Sequence, residues 1–134
     1  MTPDTLYDRT LLEHETNSRN AYAAVVSRRG DIDQLERITA AMNARGLMSR
    51  AAVTTHQLGS GAYVRLLLRA SGTDLQLAAV LEWLMSDEVR VERLSLPTAT
   101  MRKYRLGLRL MDIDFEVYTY PAELLNRAPI EEAA

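Results

Sequence analysis

A unit made of one amphipathic helix followed by two strands occurs twice in this 134-residue chain, at an offset of about 42 residues. The first copy runs over 31–71 and the second from 73 to about 113. At that offset Leu35 falls on Leu77, Ile38 on Val80, Met42 on Leu84, Leu47 on Val89, Val64 on Leu106, Leu66 on Leu108 and Leu68 on Leu110. All of these are positions that a helix or a strand buries. Few identities survive, so the repeat is one of shape. Two αββ units predict a small two-layer domain without an obvious pocket, which turns the functional reading toward contact with other proteins.

Local signals place the elements. Asp31 reads as an N-cap with Gln34 three residues on, and Gly46 as the stop of a helix of about four turns that turns Ile32, Leu35, Ile38 and Met42 inward. Strands at 51–58 and 62–70 flank Gly59-Ser60-Gly61, a loop that reads as a hairpin. Thr73 or Asp74 caps a second helix that buries Leu77, Val80, Leu81 and Leu84. A third strand is expected at 89–96, a turn at 97–100 and one long strand at 104–120. Within that last strand, Tyr104, Leu106, Leu108 and Leu110 alternate on even numbers, whereas Ile113, Phe115 and Val117 alternate on odd ones. A bulge near Met111 and Asp112 accounts for the change of phase.

The N-terminal segment 1–29 carries Tyr7, Leu11, His14, Ser18, Ala21 or Tyr22, and Val25 at spacings of three and four, the seam of a helix or a coiled-coil remnant. A strand at 21–26 is the competing reading and converts the order to βαββαβ. Glu13, Glu15, Arg19 and their helix-forming neighbours favour the helix. The expected organisation is thus an N-terminal helix over 1–29, an α+β ferredoxin-like two-layer sandwich over 30–120 in the order αββαββ, and a short tail over 121–134. Its four-stranded antiparallel sheet carries two helices on one face and leaves the other open. Tyr63, Arg65, Leu67 and Arg69 on one strand, with Arg105, Gly107 and Arg109 on another, share the outward phase. Tyr and Arg are enriched among interface anchors, so Tyr63, Arg65, Leu67, Arg69, Arg105 and Arg109 are the candidate partner-binding residues.

The run Ala62-Tyr-Val-Arg-Leu-Leu-Leu-Arg-Ala-Ser-Gly-Thr-Asp-Leu-Gln-Leu-Ala-Ala-Val-Leu-Glu-Trp-Leu, followed by Val89-Arg-Val-Glu-Arg-Leu-Ser-Leu and closed by Phe115-Glu-Val-Tyr-Thr-Tyr, resembles the periplasmic domain of the PilO and GspM proteins. There an alternating strand leads through a small turn into a helix with an aromatic residue near its end, matched here by Trp83, and the last strand ends in a Thr-Tyr pair, matched by Thr119-Tyr120. The resemblance covers roughly 31–120. It implies a structural component of the inner-membrane platform of a type IV pilus or type II secretion machine. Such a component works as a homodimer or beside a related ferredoxin-like platform protein, at the periplasmic face of the bacterial inner membrane. The chain departs from that family in having no N-terminal membrane span and little coiled coil, as a soluble portion of such a protein would; outside the resemblance, a cytoplasmic location is the expectation.

Composition and motifs narrow the alternatives. A net charge of −2 gives no global field for nucleic acid or anionic lipid. No apolar run approaches a membrane span, and the polar first 20 residues do not form a signal peptide. Zero cysteines exclude disulfides and thiolate chemistry, while leaving the compartment open. The two histidines, His14 and His56, lack any metal-ligand spacing. Asp112, Asp114 and Glu116 alternate on one strand without the calcium loop's glycine, and read as a solvated edge. Gly59-Ser60-Gly61 lacks the Lys-Ser/Thr of a phosphate loop. No catalytic residue, cofactor or metal is expected. The runner-up function is a small-molecule-sensing domain of the ACT or MgtC-tail type, which needs the strand at 21–26. An RNA-recognition domain comes third, because only Tyr63 offers a stacking aromatic on the open face.

Overall fold

The computed structural model describes residues 5–108 and 111–121 as three helices on a mixed five-stranded sheet. Helix α1 spans Leu6–Ser27 and α2 spans Arg29–Ala44. They follow one another with Arg28 alone between them, whose φ of −110° and ψ of 19° leave the helical region. Thr5 caps α1 by accepting the Asp8 N–H at 3.1 Å. The helix continues through 21–26, so the strand reading of that segment is overturned, and with it the βαββαβ order and the local requirement of the ligand-sensing alternative. Asp31 is not the cap of α2: the helix begins two residues earlier, and Asp31 lies buried in its first turn. Gly46 does follow the C-terminus, at a φ of +101° that any side chain would strain.

Strands β1 (Met48–Leu58) and β2 (Gly61–Thr73) form the expected hairpin, each longer than its pattern suggested. Gly59 takes a φ of +61° at the first central position of the two-residue turn, where a type II′ turn calls for glycine. Helix α3 (Asp74–Ser86) starts with a full capping box: Gln76 N–H donates to Thr73 Oγ1 at 3.2 Å, and Thr73 N–H donates to Gln76 Oε1 at 2.9 Å. Strand β3 is short, Arg90–Arg93.

The stretch expected as a single long strand is two strands, β4 (Met101–Gly107) and β5 (Asp112–Tyr120). They run antiparallel, with Leu106 opposite Ile113, and Leu108 N–H donates to the Met111 carbonyl at 2.8 Å to close the turn. The change of alternation therefore marks a reversal of the chain, not a bulge. Both phases then face the helices, because a strand folded back on its predecessor must present its own apolar set to the same layer. Sheet order is β1-β2-β5-β4-β3, with β5 parallel to β2 and every other pair antiparallel. The four-stranded antiparallel ferredoxin-like sheet in αββαββ order is accordingly corrected to a five-stranded mixed sheet within the α+β class. The two αββ units survive as hairpins on either side of β5, and β5 is the central strand that belongs to neither.

The core lies between the sheet and its helices. Val64, Leu66 and Leu68 of β2, Tyr104 and Leu106 of β4, and Ile113, Phe115 and Val117 of β5 pack beneath Leu35, Ile38 and Met42 of α2 and Leu77, Val80 and Leu84 of α3. Every repeat-matched pair within the described residues is buried on both sides, from Leu35 with Leu77 to Leu66 with Leu108. Leu110, Arg109 and the tail 122–134 lie outside the described residues. Trp83 is half-buried at the rim of the core, with the Arg45 guanidinium 4.2 Å above its ring.

Candidate interaction surfaces

The sheet face opposite the core is open, and the outward phase read for β2 and β4 is the one observed. Tyr63, Arg65 and Arg69 are exposed on β2 with Leu67 half-buried among them, and Arg105 is exposed on β4. Arg109 falls outside the described residues. The pattern did not reveal what stands between these arginines. Because β5 is central, Asp112, Asp114 and Glu116 project onto the same face between β2 and β4, so they are not a solvated edge. Arg65 Nε donates to Asp114 Oδ2 at 2.7 Å, Arg69 Nε lies 3.6 Å from Glu116 Oε2, and Arg90 Nη2 lies 3.7 Å from Asp112 Oδ1. Further out, Arg105 Nη1 donates to Glu92 Oε2 at 3.3 Å. The face is a lattice of alternating charge. Its hydrogen bond to Asp114, and then the Asp114 charge itself, raises the Arg65 pKa above the ordinary arginine value, so that guanidinium stays charged at any working pH.

Beside the charged lattice, Tyr63 stacks on His56 of β1 with ring centroids 5.1 Å apart, and the His56 ring nitrogen lies 3.1 Å from Thr54 Oγ1. His56 is thus a strand residue in an ordinary cross-strand pair. Tyr118 and Met101, opposite one another on β5 and β4, are also exposed. Tyr118 was legible in principle, since it shares the phase of Asp114 and Glu116; assigning 104–120 to one strand concealed that phase. Among the described residues no cluster of His, Asp or Glu is suited to hold a metal ion.

Helix α1 makes a second surface. Its contact with the domain begins at Asn17, whose carbonyl accepts from Gln57 Nε2 at 3.3 Å, and Asn20 Nδ2 donates to the Ser60 carbonyl at 2.9 Å. Asn17, Asn20, Ala21, Ala24 and Arg28 are half-buried against the β1–β2 hairpin. Residues 6–16, with nothing of the domain beneath them, are exposed on every side. The seam anticipated along this helix does not face the sheet: Tyr7, Leu11, Tyr22 and Val25 are all exposed, and Leu6, Leu12 and Val26 add to the uncovered apolar surface. No described helix is long and apolar enough to cross a membrane. No protein-family model, curated protein or solved structure matches the chain.

Proposed function

We propose that this chain is a non-enzymatic assembly module that joins a second copy of itself through helix α1. One observation carries the reading: no residue of this 22-residue helix is fully buried, and Tyr7, Leu11, Tyr22 and Val25 lie along one exposed seam. An isolated helical overhang of that kind is marginal in water, and most helical stability comes from packing an apolar face. The charged side chains of α1 are Asp8, Arg9, Glu13, Glu15 and Arg19, and Arg19 already pairs with Glu15 on the same helix, so the apolar seam and not charge carries the contact. The open sheet face is the weaker candidate for the primary contact, because its arginines already neutralise carboxylates of the same sheet. The resemblance to PilO and GspM gives the setting we propose: a component of a pilus or secretion platform, working by homodimerisation or beside a related protein, at the periplasmic face of the inner membrane.

Light scattering coupled to gel filtration on the full chain tests this reading. Leu11→Glu with Tyr22→Glu alters only exposed positions, so helicity by circular dichroism is expected to stay near that of the parent outside α1 while the solution mass falls at least twofold. An unchanged mass overturns the assignment to α1.

A further inference from the structure

The two edges of the sheet are built differently. The β3 edge is four residues long and carries Arg90, Glu92 and Arg93, the short and charged form that discourages strand addition. The β1 edge is eleven residues long, and from Ala51 to Leu58 it carries no Asp, Glu, Lys or Arg. The register identifies which backbone groups it offers. Leu58 and Gly61 flank the two-residue turn and form its closing hydrogen-bonded pair. Even-numbered residues of β1 therefore bond to β2, while the N–H and C=O groups of odd-numbered residues point away from the sheet. Asn43 confirms this phase: its Oδ1 accepts from Ser49 N–H at 2.7 Å, and its Nδ2 donates to the Ser49 carbonyl at 3.3 Å. A side-chain amide thus occupies the place of a neighbouring strand at one end of the edge. At the other end, α1 lies against the hairpin tip through Gln57 and Ser60. Between these limits, no described residue bonds to the outward groups of Ala51, Val53 or Thr55. Beside them runs a groove of about 380 Å³ between the edge and α2, lined by Ile32, Leu35, Thr39, Ala40, Ala51 and Val53 among others.

We infer that a second copy of β1 adds to this edge in antiparallel sense, about a two-fold axis at Val53, and that this contact is distinct from the one made by α1. The open stretch is symmetric about Val53: Ala51 of one protomer meets Thr55 of the other, Val53 meets Val53, and roughly six backbone hydrogen bonds form in the narrow-pair pattern. Identical partners normally suffer from facing like charges, and this stretch has none to face. The small side chains Ala51, Val53 and Thr55 lie on the helix side, where the groove along α2 receives the apolar surface of the added strand. The contact is isologous. Together with a second isologous contact through α1, it makes an assembly larger than a dimer.

The test uses the full chain in four forms: parent, Leu11→Glu with Tyr22→Glu, Thr55→Pro, and all three substitutions together. Proline at 55 removes an outward N–H while leaving the β2 pairing untouched, and Val53→Lys, which sets like charges side by side at the axis, serves as a second edge variant. Expected are a parent mass above that of a dimer, a dimer for the α1 variant, and a monomer when an edge substitution is added to it. In the dimeric α1 variant the amides of Ala51, Val53 and Thr55 should exchange with solvent roughly tenfold or more slowly than in the monomer. A monomeric α1 variant, or fast exchange at those three amides in every form, overturns the edge contact and leaves the α1 reading standing. An α1 variant with the parent mass that becomes monomeric on edge substitution does the reverse.

Discussion

Arg65 Nε donates to Asp114 Oδ2 at 2.7 Å, joining two strands through residues 49 apart in sequence. The pair sits on the open sheet face, with the Asp114 side chain 34% exposed, and register places Leu67 and Arg105 on either side of Asp114. Asp114 is therefore the carboxylate that keeps the arginines of β2 and β4 from repelling one another.

Removing that carboxylate should matter modestly and in a salt-dependent way. Asp114→Asn is expected to lower Tm by no more than about 5 °C at low salt, since exposed pairs contribute little each. The difference should shrink as ionic strength rises through the range that screens surface charge. Thermal melts of the variant and parent at two salt concentrations measure this; a loss that persists unchanged at high salt would show that Asp114 acts through packing.

Phe115 reports on the central position of β5. It is fully buried, sits opposite Leu68 and Tyr104, and has its ring centroid 5.7 Å from that of Tyr104. Phe115→Ala should cost about 3–5 kcal/mol, the range for emptying an aromatic site in a core. Urea denaturation followed by circular dichroism checks the value, and a cost below about 1 kcal/mol would contradict the packing of β5 beneath the helices.

Gly72 lies where β2 gives way to α3, and a Cβ there would overlap Leu47 Cδ2 and stand 2.9 Å from Gln76 Oε1. Leu47 is buried and Gln76 is engaged in the capping box, so neither moves freely. Gly72→Ala is expected to destabilise by about 1–3 kcal/mol through overpacking, visible as a lower urea midpoint with an unchanged m-value.

The cap itself can be tested separately. Thr73→Ala removes the oxygen that accepts Gln76 N–H and should cost about 0.5–2 kcal/mol, while Thr73→Ser should restore most of it. Equal losses for the two variants in denaturant titrations would assign the effect to the Thr73 methyl group and not to the hydrogen bond.

How much was legible before the structure follows from which signals are local. The spacing of Leu35, Ile38 and Met42, and of Leu77, Val80 and Leu84, identified two core helices because an apolar stripe at helical period has one way to be buried. Alternation in β2 gave the outward set Tyr63, Arg65, Leu67 and Arg69 for the same reason. The capping box at Thr73 and Gln76 and the glycine after α2 involve neighbours a few residues apart. The misplaced features were those settled by distant partners. Asp31 has the chemistry of a cap, but α1 feeds directly into α2 and the helix starts before it. The shift of phase after Leu108 is equally consistent with a bulge and with a reversal; the reversal shows only in the pairing of β5 back onto β4, with β2 on its other side.

The sequence by itself determined the α+β class, the repeated helix-and-hairpin unit, most of the inward-facing residues and the seam along α1, all of which follow from periodicity along the chain. Tertiary structure alone decided that β5 lies at the centre of the sheet, that its carboxylates meet the arginines of β2, and that β1 is left as a long edge strand. Strand order is set by the burial of Ile113, Phe115 and Val117 against residues of β2 and β4. That energy belongs to pairs remote in sequence, and alternation says which side of a strand is buried without saying which strand lies beside it.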